Sequence, residues 1–101
     1  MEVKGIMEII INGGKIETVY DFHYAFSSVL GIERVYGNNL HALWDVLSAG
    51  VERPVILRWK NSEISKSKLG KDFEGIVEVL RRVERQDEEF GWSDKFSFAL
   101  E

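Results

Sequence analysis

Three short apolar runs are separated by stretches long enough to hold helices, and this order constrains the fold more than any other feature of the chain. Met7-Glu8-Ile9-Ile10-Ile11 is β-branched and closed by Asn12-Gly13-Gly14, which reads as a strand and a turn. Pro54-Val55-Ile56-Leu57-Arg58-Trp59 reads as a second strand. Its near-continuous apolar centre predicts burial on both faces, as in a parallel sheet. Lys95-Phe96-Ser97-Phe98-Ala99-Leu100 reads as a third strand. Long connections that carry helices imply right-handed crossovers between parallel neighbours. The expected fold is therefore α/β: a small three-stranded parallel sheet flanked by helices.

The connections carry their own signals. Thr18-Val19-Tyr20-Asp21 has the form of a capping box, with Thr18 bonding forward and Asp21 reaching back. Phe22, Ala25, Phe26 and Val29 follow at helical spacing, with Gly31 as the stop. His23 on this helix reads as a packed structural residue. Asn61 to Lys68 is polar and predicts a short helix or helical turn. Asp72 is expected to cap an amphipathic helix with Phe73, Ile76, Val77, Leu80 and Val83 on one face and Glu78, Arg81, Arg82 and Arg85 mostly off it. Gln86 to Asp94 reads as an acidic loop carrying Gly91. No repeat, low-complexity tract or inter-domain linker interrupts the chain.

The segment where function is to be sought is Tyr36-Gly37-Asn38-Asn39-Leu40-His41-Ala42-Leu43-Trp44-Asp45-Val46-Leu47. Tyr36-Gly37 sets a turn, since glycine supplies backbone freedom there. Asn38 or Asn39 caps the helix that follows. Leu40, Leu43 and Leu47 form one stripe, and the helix ends near Gly50. Trp44 borders the stripe and Asp45 lies off it. An acid off an apolar stripe is by default a solvated surface group.

Composition narrows the classes. A chain of 101 residues is expected to form one domain over 1–101 and to bury a core without staples. It is 45% apolar and 30% charged, which is the balance of a soluble globular domain. Without cysteine it forms neither a disulfide framework nor a zinc-thiolate site, which fits a reducing cytosol. The first eight residues carry acids and do not read as a signal peptide. No apolar stretch approaches the length needed to cross a bilayer, so a cytoplasmic protein without membrane contact is expected. The net charge of −4 disfavours a general nucleic-acid binder and permits a basic partner. The charge is uneven: −3 over 1–57, +3 over 58–85 and −4 from Gln86 onward.

With these residues in hand, the chain resembles the barstar family of intracellular ribonuclease inhibitors. The resemblance begins at Ile11-Asn12-Gly13, Ile16 and Asp21-Phe22-His23. It continues through Tyr36-Gly37-Asn38-Asn39-Leu40 and Ala42-Leu43-Trp44-Asp45-Val46-Leu47, then Pro54, Leu57-Arg58-Trp59 and Ile76-Val77-Glu78-Val79-Leu80-Arg81. Spacing is ungapped from Ile11 to about Val83, and the Tyr-Gly-x-Asn-Leu-x-Ala-Leu-Trp-Asp run is its specific part. The residues before Met7 and the segment Gln86–Asp94 look like additions.

The resemblance implies that the helix from Asn39 and the loop before it fill the active site of a small secreted barnase-type ribonuclease. Asp45 would then occupy the enzyme's phosphate site. A ribonuclease site is built of Arg, Lys and His to hold a phosphate, and a fixed carboxylate satisfies such donors with charge-assisted hydrogen bonds. The implied contact set is Val35, Asn38, Asn39, His41, Ala42, Trp44, Asp45, Ser48, Ala49, Gly50 and Arg82. No catalysis by this chain, no cofactor and no metal are implied, and a cis bond before Pro54 is. The chain departs from the family's prototype at four of these places. His41 and Arg82 stand where the prototype has acids, Val35 replaces a tyrosine and Gly50 a tryptophan. The acid cluster around Asp45 is thinned, which leaves room for a cognate enzyme with a different charge layout.

Three other readings stay open at this point. One is an immunity protein for a different toxin nuclease. Another is a small nucleic-acid-binding module using Arg58, Lys60, Lys66, Lys68 and Lys71, which predicts RNA affinity that falls steeply with salt. The last is a metal-dependent enzyme built on His41 and Asp45, one helical turn apart, which predicts bound metal and loss of activity on chelation.

Overall fold

The structure is a computed structural model that describes residues 5–101, so most of the expected N-terminal extension, Met1 to Lys4, lies outside the described residues. Strand β1 (Met7–Asn12) leads through a 3-10 turn (Gly13–Lys15) to helix α1 (Val19–Leu30). Helix α2 (Leu40–Asp45) widens into a π turn (Val46–Gly50) before strand β2 (Val55–Lys60). Helices α3 (Ser62–Leu69) and α4 (Lys71–Glu89) then precede strand β3 (Phe96–Leu100). The sheet order is β1-β2-β3, both pairings are parallel, and Ile9, Leu57 and Phe98 stand in register across it. The three-stranded parallel α/β fold expected from the sequence is the fold observed.

Burial on both faces of β2 is not observed. Val55, Leu57 and Trp59 are buried, whereas Ile56, Arg58 and Lys60 are half-exposed. β1 alternates likewise, with Ile9 and Ile11 inside and Glu8 and Ile10 outside. The helices therefore cover one face and leave the other to solvent. Arg58 explains why the apolar run misled. Its guanidinium lies on the open face, 3.2 Å from Glu8 on β1 and 2.7 Å from Glu101 beyond β3. Lys60 adds a 3.3 Å contact to Glu101. Hydrogen bonds from Arg58 hold the Glu101 carboxyl below the usual carboxylate range. This ladder spans all three strands on the face where no helix packs.

The covered face holds the core. Trp59 stacks on Phe22 with ring centroids 4.8 Å apart and meets Phe73 at 4.9 Å. Its indole Nε1 donates to Ser65 Oγ at 2.9 Å, and Ser65 Oγ donates to the Gly13 carbonyl at 2.9 Å. A side chain at Gly13 would collide with the Lys60 and Asn61 carbonyls, so this close approach requires glycine. The capping box forms as expected: the Asp21 amide donates to Thr18 Oγ1 at 3.2 Å and the Thr18 amide to Asp21 Oδ2 at 3.1 Å.

Helix α4 differs from expectation at both ends. Its first residue is Lys71, and Gly70 at φ 56° occupies the cap position without a side-chain bond. Asp72 instead sits in the first turn with Glu74, where acids are favoured by the helix dipole. One glycine both ends α3 and begins α4, which leaves no room for a separate capping residue. At the other end α4 runs to Glu89, so Gln86–Glu89 form a last helical turn rather than part of a loop. The reason is Asp87, which is fully buried and pairs with Arg53 at 2.9 Å. It also accepts from the Phe96 amide at 2.7 Å. Burial pushes this carboxyl up, but the bonds from Arg53, Phe96 and Gln86 outweigh it and hold the group below its ordinary range.

Candidate functional site

The segment from Gly31 to Arg53 joins α1 to β2 and is fixed from beneath. Tyr36 is buried, its hydroxyl lies 2.7 Å from His23 Nδ1, and its ring meets Phe26 at 5.4 Å. Burial pulls the His23 imidazole below its ordinary range and pushes the Tyr36 phenol well above its own. His23 is thus the packed structural residue the sequence suggested, and Tyr36 anchors the loop rather than facing outward.

Above this anchor the two asparagines divide the work. Asn38 adopts the left-handed conformation at φ 55°, which asparagine tolerates. Asn39 is the cap: its Oδ1 accepts from the Ala42 amide at 2.8 Å, and its Nδ2 donates to the Gly37 carbonyl at 3.2 Å. Leu43 and Leu47 are fully buried beneath α2. Leu40 is not part of that buried stripe; it is 40% exposed and leans toward Gly75 on α4, at the edge where the two helices meet.

On the outer side of α2 the Asp45 side chain is 61% exposed, and His41 Nε2 lies 3.4 Å from its Oδ2. Half-buried Trp44 carries the Arg82 guanidinium over its ring, 4.9 Å from the centroid. The helix then widens into the π turn holding Ser48, Ala49 and Gly50. The Ser48 carbonyl accepts from Gln86 Nε2 at 3.3 Å, which ties the turn to α4. The Val51 carbonyl accepts from Arg53 Nη1 at 2.7 Å, and the Arg53–Pro54 peptide is cis. The carboxylate therefore stands on a short helix held by a side-chain cap at its start, by α4 along its flank and by the Arg53 anchor beyond its end.

The sequence-derived contact residues fall around this helix in two groups. His41, Trp44 and Arg82 line a groove of about 450 Å³ between α2 and α4, together with Leu40, Glu78 and Val79. Val35 and Gly50 line a second depression of about 440 Å³, with Met7, Leu30, Ile32 and Val46 among its walls. Val35 is the most exposed large apolar residue of the described chain, at 83%. Asn38, Asn39, Asp45 and Ala49 are exposed, and Ala42 and Ser48 are half-buried. Sequence reasoning missed Gln86, hidden in a presumed loop, and Val79. An apolar residue off the main stripe of α4 was the signal for a second packing edge.

The cations of the 58–71 stretch do not gather into one bare surface. Arg58 and Lys60 are engaged by Glu8 and Glu101. Lys66 and Lys71 line a different depression, shared with Glu74 and Glu78. Among the described residues no group of three or more His, Cys, Asp or Glu is arranged to hold a metal ion. No helix of the described residues is long and apolar enough to cross a membrane.

The helix thus presents an exposed acid close to an apolar depression and a mixed-charge groove. The sequence profile of the Barstar (barnase inhibitor) family matches residues 6–99, and the chain belongs to that family. It is also 35% identical over 94 residues to the Bacillus subtilis (strain 168) protein named "Putative ribonuclease inhibitor YrdF". That similarity covers 93% of this chain and 98% of the relative.

Proposed function

We propose that this protein inhibits a small ribonuclease by occluding its active site with the loop and helix from Val35 to Gly50, Asp45 standing in for a substrate phosphate. The carrying observation is Asp45 itself: an exposed carboxylate on a helix whose backbone is fixed by Asn39, by Gln86 and by the Arg53 anchor. Such rigidity lowers the ordering cost of binding. The family and the named relative support the inhibitor role. The chain contributes no chemistry of its own; it blocks another protein's. The partner is a secreted barnase-type ribonuclease or a related toxin nuclease, met in the cytoplasm of the producing cell, so the inhibitor acts there as an immunity protein. Asn38, Asn39, Trp44 and Ser48 supply neighbouring contacts, and Ala49 and Gly50 form a small-residue rim where the partner backbone approaches.

The test is titration calorimetry against the barnase-type ribonuclease of the same organism, comparing the natural protein with Asp45→Ala. One-to-one binding that is lost in the variant is expected. Undiminished binding by Asp45→Ala would refute the role given to that carboxylate.

A further inference from the structure

The groove between α2 and α4 holds a charge arrangement that a phosphate mimic alone does not need. Arg82 lies over Trp44, and His41 sits 3.4 Å from Asp45 with its side chain 85% exposed. Glu78 is the one acid in the groove lining, and among the described residues no carboxylate is ion-paired with Arg82. Arg81 and Arg85 are also exposed, but they line a different depression, shared with Glu84, Glu88 and Phe98. The flank of Asp45 nearest α4 therefore presents one guanidinium with no carboxylate among the described residues ion-paired to it.

A ribonuclease site that receives Asp45 is itself rich in cations, because it exists to hold a phosphate. Bringing Asp45 into such a site also brings the Arg82 guanidinium against its border. Juxtaposed like charges across an interface oppose binding and are a means of rejecting wrong partners. The arginine is held in place by its stack on Trp44, so it cannot swing away without giving up that contact. What relieves the conflict is an acid on the partner.

We infer that Arg82 is a specificity determinant that selects a ribonuclease carrying an aspartate or glutamate at the border of its phosphate site and rejects one whose border is uniformly basic. The inference rests on the proposed docking of Asp45 and adds to it the chemistry of the neighbouring contact. The carboxylate of the partner enters the groove lined by Leu40, His41, Trp44 and Arg82 and pairs bidentately with the guanidinium.

The experiment is a charge swap across the interface. The probes are barnase and a barnase variant in which one arginine bordering the phosphate site is replaced by Glu. Each is titrated with the natural protein, Arg82→Gln, Arg82→Glu and Arg82→Glu/Asp45→Ala. The expected result is an inversion. The natural protein binds the Glu-bearing probe more tightly than barnase, and Arg82→Glu prefers barnase, the affinity ratio changing by about tenfold or more. Arg82→Gln falls between, and the inversion shrinks at high salt, which a mere packing defect at Trp44 would not produce. An affinity ratio that stays constant across the Arg82 series overturns the inference. So does the absence of barnase binding in every variant, because removing the cation should admit it. The doubly substituted variant separates the two ideas. If adding Asp45→Ala to Arg82→Glu removes binding while the Arg82 series stays flat, the docking of Asp45 stands and the role of Arg82 falls.

Discussion

Asp45 and Asp87 are two carboxylates separated in the chain by β2, α3 and most of α4, and the molecule treats them in opposite ways. Asp87 is fully buried and saturated: Arg53 at 2.9 Å, the Phe96 amide at 2.7 Å and Gln86 at 3.3 Å all point at it. Asp45 is 61% exposed, and its partner among the described residues is the solvent-facing imidazole of His41. The first acid is satisfied by the fold and explains the fold: it joins the end of α4 to the approach to β2 and the start of β3. The second has hydrogen-bonding capacity left over, open to solvent or to another molecule. A carboxylate's role is read from what already satisfies it, not from its residue type.

The sharpest way to break this contrast is at Asp87. Asp87→Ala leaves Arg53, only 9% exposed, without its partner, and a loss of about 3–5 kcal/mol in unfolding free energy is expected by urea denaturation. A loss below about 1 kcal/mol would mean that water or a shifted Arg53 replaces the pair. Asp45→Ala should do the reverse. Its unfolding free energy should stay within about 0.5 kcal/mol of the natural protein. Ribonuclease affinity should fall by more than about 2 kcal/mol, as for the central anchor of an interface.

A smaller effect separates the loop anchor from the cap. Thr18→Ala removes the acceptor for the Asp21 amide and should cost about 1 kcal/mol, with no change in partner affinity. The pH dependence sharpens the comparison further. His23 is held neutral by burial, with its folded value depressed, so the unfolded chain binds the extra proton first. Stability should begin to fall as pH drops through about 6.5, the ordinary imidazole value. Asp87, also depressed, keeps its contribution until pH falls below about 4 and loses it beyond. His23→Gln should flatten the upper part of the stability–pH curve and Asp87→Asn the lower part. If His23→Gln leaves the upper part unchanged, the His23–Tyr36 contact does not govern it.

How much of this was legible in the sequence follows from the range of each interaction. Local signals carry over: Thr18 and Asp21 sit three residues apart and form their capping box, and of the two asparagines that the sequence leaves open Asn39 caps through the Ala42 amide three residues on. The order of strands and helices gave the parallel sheet because long helical connections permit little else. What failed depended on partners distant in sequence. β2 read as doubly buried because Ile56 and Leu57 are apolar, whereas Glu8 and Glu101, which place Arg58 on an open face, lie at the two ends of the chain. The turn Gln86–Glu89 read as loop because it is polar, and only Arg53, 34 residues away, makes Asp87 a buried residue. Asp72 has the right chemistry for a cap but stands two residues too late, because Gly70 serves two helices. At the site, residue types around Asp45 were legible, but the stack of Arg82 on Trp44 and the tie from Gln86 to Ser48 required α2 and α4 to be placed together.

The most direct measurement is a chemical-shift footprint of the isotopically labelled protein on addition of its ribonuclease. Perturbations and loss of amide exchange should concentrate on Asn38, Asn39, His41, Asp45, Ser48 and Ala49 and at Arg82. The open sheet face at Glu8, Arg58 and Ser97 should stay unchanged. A footprint centred on that sheet face, with the amide of Asp45 unmoved, would contradict the account.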